Sequence, residues 1–273
     1  MNKSVCTIIL NRNLPKVTDN LYINLKRNNP NSDFFILEAG SDKKNLSKNY
    51  TWHANSKTIK KNGLRFARGI NYAIKKLISE KIFDKYDAFF FLTNDTTFKN
   101  FRVIDKLYKI LFSLKRLAIL SPCSKEWGEY KILKKQKTKF FWYILNNALM
   151  IKKSFIKDIM PINPNYLNIL FDGTNFRGYG LETELISKAY ANNWAAGITS
   201  LVQAGENESF LLNSYKQIKT EDYDKNLKLY IEEGKKWMKN KYGFNSKWAM
   251  QIYSKNFYDK FFENNPEYNI YKI

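Results

Sequence analysis

Histidine is almost missing from this chain. His53 is the only one in 273 residues, and the only two cysteines, Cys6 and Cys123, stand far apart. A His-based zinc site and most Ser-His-Asp arrangements are thereby excluded, and a thiolate metal site is argued against. Any bound metal must be held by oxygen ligands, which favours magnesium or manganese. Two cysteines make no disulfide framework, which points to a reducing cytoplasm. No apolar run approaches the roughly 18 residues of a transmembrane helix. The apolar stretch Val5–Leu10 is too short for a secretory signal and has no small-residue cleavage site after it. Acidic residues are also scarce: 25 Asp and Glu stand against 46 Lys and Arg, a net charge of +21. A field of that sign attracts phosphate-rich partners such as nucleic acid, anionic membrane or nucleotide-linked substrates. The alternative is a compositional bias, because the chain is rich in Lys, Asn and Ile throughout.

What is present is a core-forming chain, with hydrophobic residues at 44%, so wholesale disorder is not expected. Val5–Leu10 (VCTIIL) reads as a first strand, Val17–Arg27 as a helix and Asp33–Glu38 (DFFILE) as a second strand. Strand, helix, strand within forty residues is a βαβ unit and predicts a parallel sheet. Trp52–Asn55 reads as a short third strand, and Gly63–Ser79 as an amphipathic helix with Leu64, Ala67, Ile70, Ala73, Ile74, Leu77 and Ile78 on one face. Tyr86–Leu92 is the most continuously apolar segment and is expected to lie centrally. Phe101–Leu114 reads as a helix, Leu117–Leu120 as a strand, and Cys123–Thr138 as a basic loop or hairpin. Phe140–Ile151 reads as two strand pieces joined at Asn146 and Asn147, and Lys152–Ile159 as a helix. Phe171–Gly180 is a glycine-marked loop, Leu181–Asn193 a helix, Trp194–Val202 a last strand and Gln203–Ser209 a polar loop. From Ser214 the pattern is helical, basic and aromatic.

Four stretches carry chemistry. Phe89–Thr96 (FFFLTNDT) ends a buried strand abruptly at polar residues, and ligands in open α/β sheets sit outside the carboxyl ends of strands. Alone, TNDT reads more readily as a plain turn. Ile36–Asp42 (ILEAGSD) ends the second strand on Glu38, then Gly40, Ser41 and Asp42. Asn62–Asn71 (NGLRFARGIN) opens a helix with Arg65 and Arg68 near its start, a setting suited to phosphate. Gly178–Ala189 (GYGLETELISKA) places Glu182 and Glu184 at another helix start, two residues apart and so on different faces.

The order and spacing of these four stretches resemble a family 2 glycosyltransferase of the nucleotide-diphospho-sugar transferase (GT-A) fold, over roughly residues 5 to 205. The resemblance implies a three-layer α/β/α sandwich with a central, mainly parallel sheet. It divides the chain into a GT-A domain at 1–212 and a helical extension at 213–273, packing on the core or lying on a membrane surface. It implies transfer of a sugar from a nucleotide-diphosphate donor (UDP, GDP or dTDP) to an acceptor hydroxyl of a glycan or lipid-linked acceptor. The transfer is expected to be inverting, dependent on Mn2+ or Mg2+, and part of surface glycan or polysaccharide synthesis. The setting is the cytoplasm, with or without peripheral contact at the inner face of the membrane.

By the same resemblance Glu182 is the general base and Asp95 the metal ligand, with Thr93 in place of the family's first acid. Glu38, Ser41, Arg65, Asn71, Asn94 and Asp95 contact the nucleotide-sugar, and Trp142, Asn147 and Glu184 lie on the acceptor side. Gln203 stands where many members carry a metal-binding histidine, with Glu206 or Glu208 as substitutes. Two other readings remain: a nucleotidyltransferase on a related fold, and a non-catalytic basic protein binding nucleic acid or anionic membrane. The first would want a glycine-rich loop after the first strand, which LNRNLPK lacks. Nucleic acid is the less favoured partner.

Overall fold

The computed structural model describes residues 4–133, 137–144, 148–207 and 213–273. Its strands are β1 (Val5–Asn11), β2 (Ser32–Ala39), β3 (Trp52–Ala54), β4 (Ala88–Thr93), β5 (Thr96–Phe98), β6 (Leu117–Cys123), β7 (Thr138–Phe140), β8 (Ala148–Lys152) and β9 (Ala195–Glu206). Its helices are α1 (Pro15–Asn28), α2 (Lys57–Asn62), α3 (Arg65–Ser79), α4 (Ile104–Ser113), α5 (Gly128–Leu133), α6 (Lys153–Ile159), α7 (Leu181–Ala191), α8 (Tyr223–Tyr242) and α9 (Lys247–Asn264).

The sheet runs β3-β2-β1-β4-β8-β6-β9-β5, with β7 pairing on β9. β3, β2, β1 and β4 are mutually parallel, as are β6 and β9, whereas β8 runs antiparallel between β4 and β6. The expected α/β/α sandwich with a mainly parallel sheet is therefore the observed one. β4 lies in the middle of the order, as its continuous apolar run predicts, because strands covered on both faces have no polar side. Phe89, Phe90 and Phe91 are fully buried, each contributing about 1.5–3 kcal/mol of hydrophobic burial. α3 turns Ala67, Ile70, Ala73, Ile74 and Leu77 into the same core.

Departures from the sequence expectations follow from pairing. β9 continues through the polar QAGE because β5 pairs with it, Thr96 opposite Glu206 and Phe98 opposite Ala204. β6 runs on to Cys123, past the expected strand end at Leu120, and α5 forms within the segment expected to be a loop or hairpin. The upstream strand piece is Thr138–Phe140 rather than a segment starting at Phe140, since it pairs with Gly197–Thr199 of β9. Asn146 and Asn147 lie outside the described residues.

The extension packs on the core. α8 is capped by Asp222, whose side chain accepts from the Lys225 amide, and it ends on Gly243 in the left-handed conformation. α9 buries Met250, Ser254, Tyr258, Phe261 and Phe262, with Tyr258 and Phe261 edge-on to Tyr190 of α7. Among the described residues no helix is long and apolar enough to cross a membrane.

Candidate active site

β1 and β4 are neighbours, while β2 and β3 continue on the other side of β1, so the strand order reverses direction between β1 and β4. A crevice is expected outside the carboxyl ends at such a switch point. A cavity of about 170 Å3 lies there. Its lining includes Leu10, Asn11 and Arg12 from the end of β1, Ala39 from β2, and Thr93, Asn94 and Asp95 from β4. Arg65 and Phe66 of α3 form a further wall, and Ile218 and Thr220 reach in from beyond residue 212. Residues on both sides of the expected 212/213 division therefore build one cavity.

The polar groups of this wall are incompletely paired. The Asp95 carboxylate receives the Thr93 hydroxyl, and burial pushes its proton affinity up against that hydrogen bond. Asn94 is locked, donating from Nδ2 to Asn11 Oδ1 at 2.9 Å and to Thr18 Oγ1 at 3.2 Å. Arg12 donates from Nη1 to the Asn62 carbonyl at 2.8 Å and from Nη2 to the Lys61 carbonyl at 3.0 Å, at the end of α2. Gly63 makes room for it: the residue has φ +76°, and a Cβ there would stand 2.4 Å from Arg12 Nη1. Arg65 donates from Nη2 to Thr220 Oγ1 at 2.7 Å and stands 3.5 Å from Glu221. Yet the Nε groups of both Arg12 and Arg65 are buried without a hydrogen-bond partner among the described residues. Such groups normally find partners, and leaving one unmet costs about 1–3 kcal/mol.

Glu182 opens α7 after Gly180, which holds the left-handed conformation. Its Oε2 is sealed from solvent with no hydrogen-bond partner among the described residues. Burial raises its proton affinity, opposed by the charge of Lys247. Tyr230 of α8 feels both Glu182 and Glu206, and burial followed by these charges suppresses its ionisation. Glu206 is paired opposite Thr96, and the next amide, of Asn207, donates to the Asp95 carbonyl at 2.9 Å.

Other expected site residues are placed elsewhere. Glu38 is fully buried and spent: it accepts twice from Asn11 Nδ2 at 3.0 Å, from Ser41 Oγ at 2.5 Å and from the Ser47 amide at 2.7 Å. The extra methylene of Glu over Asp lets it turn inward and pin the loops, so Ala39 and not Glu38 lines the cavity. Ser41 is consumed in the same network. Asn71 is buried in α3, where it donates to the Tyr166 and Phe171 carbonyls and accepts from the Leu170 and Phe171 amides, pinning that loop. Trp142 packs on Tyr258 of α9 and accepts from Ser254 through its carbonyl. Glu184 is 1% exposed and clasps the extension, accepting from Lys241 at 2.7 Å and Tyr242 at 2.5 Å, with Lys188 at 3.4 Å. Asn147 and Glu208 lie outside the described residues.

Gln203 is not brought to Asp95. It sits on β9 opposite Cys123 and lines a separate groove with Lys99, Arg102 and Lys106, three residues along the strand from Glu206, or about 10 Å. Among the described residues no group of three or more His, Cys, Asp or Glu side chains is placed to hold a metal.

The residues that sequence reasoning missed are Arg12, Arg177, Thr220 and Glu221. Arg12 follows a strand end, so the rule that singled out Asp95 applies to it equally. Arg177 lies in the glycine-marked loop, with Nε 3.0 Å from Glu233, Nη1 2.7 Å from Asn226 and Nη2 2.9 Å from Glu221. Thr220 and Glu221 carry no local signal, standing 155 and 156 positions from the arginine they meet.

No protein-family model matches the chain, and no curated protein matches it in sequence. Solved structures resemble it in fold. A mycobacterial protein aligns at TM-score 0.51 and 8% identity, over 86% of this chain and 74% of that one. A mannosyltransferase from Pyrobaculum calidifontis in complex with GDP-Man and Mn2+ aligns at 0.49 and 8%, over 94% and 74%. A glucosyl-3-phosphoglycerate synthase from Mycobacterium tuberculosis, in complex with Mn2+, UDP-glucose and phosphoglyceric acid, aligns at 0.47 and 10%, over 81% of each. At such identity the likeness concerns architecture alone, a three-layer α/β/α sandwich.

Proposed function

We propose that this chain is a nucleotide-sugar-dependent glycosyltransferase that moves a sugar from a nucleoside-diphosphate donor to an acceptor hydroxyl with inversion. One observation carries the reading. A carboxylate with unspent hydrogen-bonding capacity, Asp95, lines a strand-end cavity whose other wall holds two guanidiniums with buried, unpartnered Nε groups among the described residues.

Glu182 fits the base. An acceptor hydroxyl needs a proton acceptor within hydrogen-bond reach, and Oε2 has no competing donor. Burial makes the carboxylate a stronger base than an exposed glutamate, a rise that the charge of Lys247 opposes. Asp95 suits a divalent cation, since it is a buried carboxylate whose one side-chain donor is a neutral hydroxyl. As a lone protein carboxylate it suits manganese or magnesium completed by phosphate oxygens and water. Such an ion, when bound, neutralises charge on the departing diphosphate. Arg12 and Arg65 supply positive charge on the chain's own account. Their shared cavity wall is apolar at Leu10, Leu14, Phe66 and Ile218, which suits the faces of a nucleobase.

The acceptor is assigned to glycan or lipid-linked chemistry, in surface glycan or polysaccharide synthesis at the cytoplasmic side of a membrane. The support is on α9: Trp248 is 69% exposed and Ile252, one turn on, 43%, next to Lys247. An apolar pair flanked by lysine suits a lipid surface or a sugar face.

The test is a thermal-shift panel of UDP-, GDP-, dTDP- and CMP-sugars with and without manganese, followed by transfer assays on acceptor mixtures. Stabilisation by one nucleotide class, strengthened by manganese, is the expected result. Indifference to every nucleotide-sugar would reject the reading.

A further inference from the structure

Two guanidiniums, Arg12 and Arg65, line the cavity, and a third, Arg177, is joined to Arg65 through Glu221, although the sequence motifs point to only one of the three. Arg65 is pulled down to about 10, first by burial and then by the like charge of Arg177, with Arg12 also contributing. Glu221 is the carboxylate that bridges two of them. Glu221 Oε1 stands 2.9 Å from Arg177 Nη2, and its Oε2 stands 3.5 Å from Arg65 Nη2 and 3.0 Å from Thr220 Oγ1. Of the nearby acids, Glu233 holds Arg177 Nε at 3.0 Å, and Asp42 is paired with Lys219 at 2.6 Å. Three cations therefore share two carboxylates, and the Nε groups of Arg12 and Arg65 still have no partner among the described residues.

The segment that delivers Glu221 is laid across the cavity. Asn13 Nδ2 donates to the Gln217 carbonyl at 2.8 Å, and Gln217 Nε2 returns to the Asn13 carbonyl at 2.7 Å. Ile218 and Thr220 form part of the lining. Strain collects at the same place. Asn13, Arg65 and Lys219 have φ of 60°, 56° and 55°, a left-handed conformation costing on the order of 1 kcal/mol or more each for a non-glycine residue. With this segment in place the cavity measures about 170 Å3. Sites for whole ligands of drug size run to about 300–1,000 Å3, so the closed cavity holds only part of a nucleoside diphosphate sugar.

We propose that Glu221 is an internal anion standing in for the donor's diphosphate: ligand phosphate displaces it from Arg65, is taken up by the guanidiniums of Arg12 and Arg65, and thereby shifts the 213–222 segment. Arg177, fixed by Glu233 and Asn226 and only 7% exposed, keeps hold of the released carboxylate. The proposal rests on the donor-site reading of this cavity and adds to it a competitor within the chain. Its consequence is that donor affinity is set by the difference between two anions on one arginine, so weakening the internal anion tightens the external one.

The probe is inorganic pyrophosphate, titrated calorimetrically into the full chain in metal-free buffer. Glu221→Gln is expected to bind it roughly tenfold tighter than the wild type, the wild-type affinity being reduced by the fraction of molecules with Arg65 occupied. Glu263→Gln, which removes the same charge from an exposed pair with Lys260, is expected to change affinity less than twofold. Arg65→Ala is expected to abolish the gain. Equal affinity in Glu221→Gln and wild type, or an equal gain in Glu263→Gln, would overturn the proposal. Hydrogen exchange on the wild type gives an answer that does not depend on a variant folding. Pyrophosphate should speed exchange of amides in 213–222, and unchanged or slower exchange there overturns the displacement. The two readings fail separately. Pyrophosphate that competes with Glu221 while every nucleotide-sugar is ignored sinks the donor site and leaves the anion site standing. Nucleotide-sugar binding indifferent to Glu221→Gln does the reverse.

Discussion

Glu182 and Glu184 stand two residues apart in the first turn of α7, and their surroundings could hardly differ more. Glu184 meets Lys241, Lys188 and Tyr242, and Lys241 passes on to Asp172 at 2.5 Å, which in turn accepts from Trp237 at 3.1 Å. This clasp ties α7, the 171–180 loop and α8 together. Glu182 faces the other way; each glutamate keeps one sealed oxygen, Oε2, without a hydrogen-bond partner among the described residues, but that of Glu184 still has the Lys188 ammonium 3.4 Å away. The same contrast separates Glu38, whose carboxylate receives four hydrogen bonds, from Asp95, which keeps acceptor capacity to spare. Buried acids held by ammonium groups or by several donors fasten the fold; Asp95 and Glu182 have no ammonium or guanidinium within ion-pair distance among the described residues and are the ones proposed for a ligand. The segregation costs stability on the cavity side, where unmet groups and left-handed residues gather, and it is offset by the paired clasp.

The largest test of this division is Glu182→Gln. It should lower transfer by about 10³-fold with an unchanged melting temperature, because it removes a proton acceptor and breaks no pair. Wild-type turnover would place Glu182 with the structural acids. Glu184→Ala should do the opposite. Leaving Lys241 without its buried partner costs about 2–3 kcal/mol after discounting for the partial exposure of that lysine, a fall of roughly 5–10 °C in melting temperature. Turnover per folded molecule should persist. Asp95→Asn should reduce manganese-dependent transfer by about 10²-fold, read as loss of the manganese effect on donor binding in the thermal-shift assay.

pH sharpens the comparison further. Burial raises the Glu182 carboxyl above its ordinary 4.5, so the acid limb of the rate profile should fall at a pH above that value and disappear in Glu182→Gln. Glu221 is held down to about 2, chiefly by Arg177. A carboxyl depressed on folding contributes stability that is full above its unfolded value and is lost as pH falls toward the folded one. Calorimetric melting should therefore show a loss between about 4.5 and 2 that Glu221→Gln diminishes. The smallest expected effect is that of Gln203→Ala. Its side chain lines a groove away from Asp95, and the manganese dependence of donor binding should move less than about twofold.

Much of the architecture was legible because it rests on local pattern. Phe89–Leu92 reads as a buried strand whatever lies around it, and α3 announces its inward face at Ile70, Ala73, Ile74 and Leu77. β5 was not legible: three residues carry no period, and their pairing with β9 is a long-range event. Motif position was legible too: Asn94, Asp95 and Arg65 all line the strand-end cavity. Motif role was less so, since Glu38, Asn71 and Glu184 occupy motif positions and serve as internal fasteners.

The sequence by itself determined most of the longer strands and helices, that the sheet is mainly parallel, and at which of those strand ends polar side chains emerge. Hydrophobic period and turn chemistry are properties of a few neighbouring residues, and they survive any context. Only the tertiary structure decided which of those polar side chains are satisfied. Whether Arg65 has a partner depends on Thr220 and Glu221, delivered across more than 150 positions of chain, and whether Glu184 has one depends on Lys241 and Tyr242. Hydrogen bonds act over about 3 Å whatever the separation along the chain, so the line between fastening acids and reactive ones is drawn when the extension closes on the core.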